Sequence, residues 1–195
     1  MKTVSNTTQE EMELRERVNR SLLYIAIFSS VMLFAGLTSA YIVRQADGNW
    51  LQFTLPSMFW VSTGLILASS ATINWALIAA KKDQSKQITY ALGLTIFLGI
   101  GFCITQILGW SELTQGGIYF AGKTSNPSGS FLYILSGVHL THIFSALIYC
   151  AVIFKKSLSN NYHSKNLAGV RHCGIFWHFL DGLWVYLFIF LLFMQ

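Results

Sequence analysis

The stretch GIFWHFLDGLWVYLF, Gly174–Phe188, lies within an apolar run that extends from Cys173 to Phe193. A helix needs about 20 apolar residues to cross the hydrocarbon core of a bilayer, which is roughly 30 Å thick. The run has this length, so it predicts a transmembrane helix. It also carries His178 and Asp181, an imidazole and a carboxyl three residues apart in a segment otherwise suited to lipid.

Four further apolar runs of similar length precede this one. Charged residues make up 11% of the 195 residues, less than half the roughly 25% that is usual in soluble domains. Five spans with short connections leave little room for a second domain. The sequence therefore predicts an all-α integral membrane bundle, with a polar segment at residues 1–20 and one transmembrane domain at residues 21–195. The predicted spans are approximately 21–43, 58–80, 88–109, 130–154 and 173–193.

The basic residues are unevenly distributed along the chain. Eleven of the thirteen Lys and Arg residues fall in the first twenty residues and in the connections after the second and fourth spans. Lys165 lies in the connection after the fourth span. The other two, Arg44 and Lys123, fall in the alternate connections. Because loops rich in Lys and Arg stay in the cytoplasm, we expect a cytoplasmic N-terminus and a periplasmic C-terminus. The same pattern explains the net charge of +5 without nucleic acid as a partner, since no basic soluble domain is present.

Polar side chains within the spans are costly in lipid and therefore mark candidate sites. His139 and His142 project from one face of the fourth span, roughly 13 to 18 Å from its outer end at 1.5 Å per residue. His178 and Asp181 lie roughly 7 to 12 Å from the inner end of the fifth span. If these two spans are antiparallel neighbours, we expect the two pairs to lie at similar depths and their faces to meet inside the bundle.

Three interpretations of these polar residues compete. The imidazoles and the carboxyl could ligate iron, copper or zinc, or they could relay protons. Alternatively, they bond to one another, to neighbouring helices or to lipid headgroups. The spans supply no further His, since His163 and His172 fall in the inner connection, and Asp181 and Glu112 are the acids near the spans. We therefore favour the structural interpretation, with no catalytic residue, metal ligand or cofactor in this chain.

The three cysteines are Cys103, Cys150 and Cys173. Their spacing does not match a zinc site or a haem attachment motif. Free Cys behaves as a small apolar residue, so we expect reduced thiols packed within the bundle.

Two C-terminal motifs carry a family resemblance. FWHFLDGLWVYLFIFLLF, Phe176–Phe193, closely resembles the last helix of subunit III of the haem-copper cytochrome oxidases, and SGVHLTHIFSALIY, Ser136–Tyr149, is similar to the preceding helix with its Gly-x-His-x-x-His signature. The two motifs are specific in combination, and the resemblance spans nearly the whole chain. The other similar stretches are Gly129–Gly137, Leu98–Leu113 and Phe28–Val43.

The chain departs from that family in two respects. Longer members have seven helices, and this chain is similar to the last five, as in short bacterial forms. The family's third helix usually carries a Ser-Glu pair, whereas the matching positions here are Ser29 and Ser30. The missing acid argues against a direct role of this chain in proton transfer.

The resemblance implies a non-catalytic accessory subunit of a respiratory cytochrome c oxidase, with no activity expected alone. Such a subunit would stabilise catalytic subunit I, assemble with subunit II, bind phospholipid and support aerobic electron transport with proton translocation. Haem and copper would reside in the partner subunits, a respiratory supercomplex would be a further partner, and the location would be the bacterial inner membrane. A subunit III-like component of a quinol oxidase or nitric oxide reductase, and a free-standing metal-dependent membrane enzyme, are the alternatives.

The resemblance also implies roles for the polar residues. Trp110 and Glu112 would fix the outer end of the third span. The remaining site residues would serve at helix interfaces and lipid sites; they are His139, His142, Trp177, His178 and Asp181.

Overall fold

A computed structural model describes residues 2–158 and 168–194, with side chains from Leu14 onward. Residues 159–167, which include His163 and Lys165 of the predicted inner connection, lie outside the described part of the chain. The described residues form five helices, each containing a stretch long and apolar enough to span a membrane, which confirms the predicted all-α bundle of five spans. The helices are α1 (Lys2–Ala46), α2 (Ser57–Lys81), α3 (Ser85–Gln115), α4 (Pro127–Leu158) and α5 (Ala168–Phe193).

The helices extend beyond the predicted spans. Helix α3 has 31 residues, although its apolar stretch predicted a span of only 88–109. The polar residues 2–20 are likewise helical and continue directly into the apolar part of α1. Apolar composition marks the part of a helix that suits hydrocarbon, whereas the backbone continues its helical hydrogen bonding past that part into more polar turns.

Helices α2 to α5 form a four-helix bundle in which α2 and α4 each pack against both α3 and α5. Helix α1 lies outside this bundle, against α4 and α5. It buries one narrow stripe of side chains spaced three or four residues apart, while most of its large apolar side chains face outward. The buried stripe consists of Ser30, Phe34, Thr38 and Tyr41.

Polar contacts show which helix ends lie together. The Asn126 side chain, just before α4, accepts from the Leu51 amide at 3.3 Å and donates to the Asn49 carbonyl at 3.2 Å. Gln45 at the end of α1 donates to the Met194 carbonyl at 3.0 Å. We call this the Met194 end. At the opposite, Ser157 end, the Thr89 and Ser157 hydroxyls of α3 and α4 are 2.7 Å apart, so successive helices alternate in direction.

The last turn of α3 is closed by a Schellman motif. Gly117, with a φ of 79°, donates to the Thr114 carbonyl, and the Ile118 amide donates to the Leu113 carbonyl at 2.9 Å. This left-handed conformation favours glycine because other residues place a Cβ too close to the backbone. The motif turns the chain sharply at the Met194 end and brings Ile118 back onto the bundle.

Helices α2 and α3 approach closely where Gly109 of α3 meets Phe59 of α2. A Cβ atom at position 109 would lie 2.6 Å from a ring carbon of Phe59, and the Phe59 side chain is fully buried. Small residues allow such close contact between helices in lipid, where packing replaces the hydrophobic effect as the driving force. Gly109 therefore sets the separation of α2 and α3 near the Met194 end.

We expect Gly109→Ala to lower the free energy of unfolding by about 1–3 kcal/mol, the range for overpacking a well-packed interior. Gly64→Ala is the matched control, because no atom lies within 4 Å of a Cβ built at Gly64 on α2. This control should leave stability unchanged or slightly higher, since Ala favours the helix. Reversible unfolding in mixed detergent micelles, followed by circular dichroism, measures both variants, and equal effects would contradict the close-approach explanation.

Candidate functional site

The polar face of α5 packs onto a row of hydroxyls on α2. The buried indole of Trp177 donates to the Ser69 hydroxyl at 2.9 Å, and the Trp184 indole donates to the Thr63 hydroxyl at 3.0 Å. A buried indole N–H generally needs a hydrogen-bond acceptor, and these two hydroxyls supply it. The two tryptophans that flank His178 and Asp181 therefore join α5 to α2.

His178 and Asp181 belong to the same interface. The Nδ1 atom of His178 lies 2.7 Å from the hydroxyl of Ser70 on α2, while its Nε2 atom has no hydrogen-bond partner among the described residues. Asp181 is only 3% exposed. The Ser70 side chain also interacts with the Asp181 carboxyl, although neither carboxyl oxygen meets hydrogen-bond geometry within the described chain. Ser70 is therefore the neighbouring-helix group that both residues share.

His139 lies in an aromatic enclosure. Its side chain is fully buried, and its ring centroid is 5.2 Å from Trp184, 5.9 Å from Phe102 and 6.2 Å from Phe34. Neither ring nitrogen has a hydrogen-bond partner in the described part of the chain. His142 instead directs Nδ1 at the Val138 carbonyl of its own helix, 2.8 Å away. Each of these histidines therefore serves a different local contact.

The structure does not bring the two polar pairs together as the depth estimate predicted. His139 of α4 contacts Trp184 of α5, whereas His178 of α5 contacts Ser70 of α2. Depth along a helix does not determine the direction in which a side chain points, because each residue turns the helix by about 100°. His178 and Asp181 also do not hydrogen-bond to each other. His178 therefore contacts a neighbouring helix, which is one of the structural alternatives considered for the polar residues.

The candidate ligand side chains of the described residues are not clustered. Among residues 14–158 and 168–194, no three His, Cys, Asp or Glu side chains are grouped closely enough to hold a metal ion. His172, which the sequence assigned to the inner connection, lies in the first turns of α5. What the described arrangement does provide is a set of hydrogen-bond donors and acceptors between packed helices.

Trp110 and Glu112 lie at the Met194 end of α3 and reach two different neighbours. The Glu112 carboxylate accepts hydrogen bonds from the Ser57 amide at 3.2 Å and the Ser57 hydroxyl at 3.2 Å, in the first turn of α2. A negative charge there is favoured by the unpaired N–H groups and by the helix dipole. The Trp110 indole donates to the Ser136 hydroxyl of α4 at 3.0 Å. Glu112 thus links α3 to α2, and Trp110 links α3 to α4.

The hydroxyls of α2 were not among the site residues predicted from the sequence. Histidines and acids were predicted as site residues, but the partners of His178 and of the Trp177 and Trp184 indoles are Ser and Thr residues of α2. That span has no charged residue between Ser57 and Ala80. A signal was present, because Ser62-Thr63 and Ser69-Ser70 are seven residues apart, a spacing that places both pairs on one helix face.

A family model for cytochrome c oxidase subunit III matches residues 11–195 of this chain. The chain belongs to the cytochrome c oxidase subunit III family. The match confirms the resemblance carried by the two C-terminal motifs. Together with the five apolar helices, it makes the chain a multi-pass membrane protein.

Individual relatives in the subunit III family are distant but cover most of the chain. Cytochrome c oxidase subunit 3 of Thermostichus vulcanus is 26% identical over 174 residues, which cover 85% of this chain and 82% of that protein. The Bacillus sp. (strain PS3) protein of the same name is 26% identical over 170 residues, covering 85% and 80%. The Homo sapiens protein is 26% identical over 189 residues, covering 88% of this chain but 69% of the human protein.

The subunit III resemblance leads one to expect an acid on α1, but the matching position carries a hydroxyl that makes a hydrogen bond. Ser30 is buried in the stripe of α1 that faces the bundle, and its hydroxyl donates to the Ala26 carbonyl one turn earlier at 2.8 Å. Asp181 is the only buried carboxyl among the described side chains. In this member of the subunit III family, the buried acid among the described side chains therefore lies on α5, while Ser30 occupies the matching position on α1.

We expect Ser70→Ala to lower the free energy of unfolding by about 0.6 kcal/mol, the average measured for hydrogen bonds between membrane helices, and by at most about 1.7 kcal/mol. The change removes the partner of His178 and leaves a second ring nitrogen without one. Ser145→Ala is the matched control, because the Ser145 hydroxyl is exposed and donates only to the His142 carbonyl of its own helix. Unfolding in mixed micelles measures both variants, and an equal loss from each would contradict a role for Ser70 between helices.

Proposed function

We propose that this chain is the accessory, non-catalytic subunit III of a respiratory cytochrome c oxidase in the bacterial inner membrane. The observation that carries the proposal is the family match across residues 11–195, supported by relatives named cytochrome c oxidase subunit 3. In this proposal, haem and copper reside in the partner subunits, and subunits I and II perform electron transfer and oxygen reduction. This chain stabilises that assembly and supports aerobic electron transport with proton translocation.

The proposed orientation places the N-terminus in the cytoplasm and the C-terminus in the periplasm. The distribution of basic residues over the two ends of the bundle supports it. Arg44 and Lys123 lie toward the Met194 end, which would be periplasmic, while the other described basic side chains lie toward the Ser157 end. Segments rich in Lys and Arg remain in the cytoplasm. The polar residues 1–20 would form the cytoplasmic segment that precedes the transmembrane domain at 21–195.

We propose that the polar intramembrane residues serve structure rather than chemistry. Trp177, His178 and Asp181 would hold α5 against α2, and His139 and His142 would pack α4 against aromatic neighbours. Trp110 and Glu112 would hold the end of α3 between α2 and α4. Hydrogen bonds to α2 hydroxyls and aromatic contacts support these roles, because they give most of these side chains a helix partner.

A cavity of about 340 Å³ between α1, α4 and α5 supports binding of a phospholipid. Its walls include the apolar Leu22, Leu23 and Phe176 beside the polar Asn19 and His172. The side chains of Glu16, Arg20 and Arg171 are close enough to His172 to act on it electrostatically. Apolar walls suit an acyl chain, and the neighbouring cations attract an anionic headgroup by about 1 kcal/mol each.

Removal of this chain from the purified oxidase tests the proposed accessory role. We expect the remaining complex to keep its haem and copper content, its initial turnover and its ratio of protons pumped per electron, while its lifetime during turnover falls several-fold. The physical reason is that a scaffold without redox groups contributes to stability and not to the reaction. Loss of haem or copper in proportion to this chain would overturn the proposal.

Lipid binding has a separate test in the double variant Arg20→Gln, Arg171→Gln. We expect the oxidase containing it to retain less anionic phospholipid on purification, because two cations near the cavity are lost. Arg44→Gln, at the Met194 end, is the control that changes one Arg away from the cavity. Mass spectrometry of the extracted lipids measures the retained headgroups, and an unchanged anionic fraction in the double variant would refute this binding site.

A further inference from the structure

Two thiols face each other between α4 and α5. The Sγ atoms of Cys150 and Cys173 are 2.8 Å apart, and both side chains are buried. A disulfide bond is about 2.05 Å long, so the two sulfur atoms need to move less than 1 Å to reach bonding distance. They lie on adjacent packed helices, which already hold them face to face.

A cavity lies beside the helix turns that carry the two buried thiols. Tyr149 and His172, the residues immediately before each Cys, line the cavity of about 340 Å³ between α1, α4 and α5. A water molecule occupies about 30 Å³ of liquid, so this cavity is large enough to admit a small neutral molecule one residue away from each buried thiol. The third cysteine, Cys103 on α3, is half-buried and is not paired with another thiol in the described structure.

We propose that Cys150 and Cys173 form a redox-active pair that hydrogen peroxide converts into a disulfide joining α4 to α5. One sulfur attacks the peroxide O–O bond, forming a sulfenic acid and releasing the first water. The second sulfur then displaces the hydroxyl group of the sulfenic acid, forming the S–S bond and the second water. The two sulfurs lose two electrons, the peroxide oxygens gain them, and both thiol protons leave in water.

The disulfide would tie together two walls of the cavity. Cys150 and Cys173 are 23 residues apart in the chain, and the bond would close the α4–α5 connection into a covalent loop. The inner parts of α4 and α5 could then no longer separate, which restricts what can enter between them. An oxygen-reducing complex is a natural source of peroxide, because two-electron reduction of O₂ stops there. The oxidase as a source of peroxide rests on the proposed function, whereas the reaction of the thiol pair with peroxide does not depend on it.

The experiment treats membranes containing the intact complex with increasing hydrogen peroxide, then blocks remaining thiols with N-ethylmaleimide in denaturant. Trypsin digestion separates the two cysteines, since Lys155, Lys165 and Arg171 lie between them. We expect a disulfide-linked peptide that dithiothreitol reduces. Its amount should rise with peroxide, while the amounts of the alkylated Cys150 and Cys173 peptides fall equally. Cys103 should remain alkylated and serves as the internal control.

Single variants test the pairing. Cys150→Ser and Cys173→Ser should each abolish the linked peptide, and Cys103→Ser should retain it. Full alkylation of both cysteines at every peroxide concentration, or oxidation of each to a sulfinic acid with no linked peptide, would overturn the proposal. The wild-type measurement decides this even if a variant fails to assemble. Because peroxide is added externally, failure of the oxidase assignment would leave this result unaffected.

Discussion

Helices inside a bilayer gain little hydrophobic free energy by associating, because lipid tails are as apolar as their side chains. They must therefore be held by close packing and by polar contacts between helices, and in this chain α2 supplies most of the latter. Its hydroxyls face two neighbours at once, accepting the α5 indoles and contacting polar side chains of α3. The contacts to α3 are Gln106 to Ser62 at 2.8 Å and Thr72 to Thr95 at 2.7 Å.

Helix α1 packs against the outer faces of α4 and α5. His139 of α4 contacts one aromatic ring from each of three other helices, namely Phe34 of α1, Phe102 of α3 and Trp184 of α5. The imidazole fills the space between these larger aromatic rings. It packs edge-to-face with Phe34 and Phe102 and in a tilted arrangement with Trp184, and edge-to-face contact is a favoured geometry for aromatic pairs. Near the Met194 end, the Tyr186 hydroxyl of α5 donates to Thr38 of α1 at 3.3 Å. The peripheral helix is thus attached along a single stripe.

These features agree with an accessory role in an oxidase. An accessory subunit must present stable helices to its partners and to lipid, and its polar groups can be used entirely for cohesion. The satisfied hydroxyl of Ser30, where the family resemblance leads one to expect an acid, agrees with that use. Asp181 is buried on α5 and lies near Ser70 of α2, and a polar residue of this kind can specify which neighbours a helix accepts.

The sequence by itself determined the number of spans, because bilayer thickness imposes a run length that composition reveals directly, and its two C-terminal motifs indicated the family. It also identified His139, His178 and Asp181 as residues needing an explanation, since polar groups in lipid are costly. It did not determine their partners. Depth follows from counting residues, but the direction of a side chain depends on how each helix is rotated and which helix lies beside it. That rotation is decided by contacts such as Gly109 against Phe59 and Trp177 against Ser69, which exist only once all the helices are packed together.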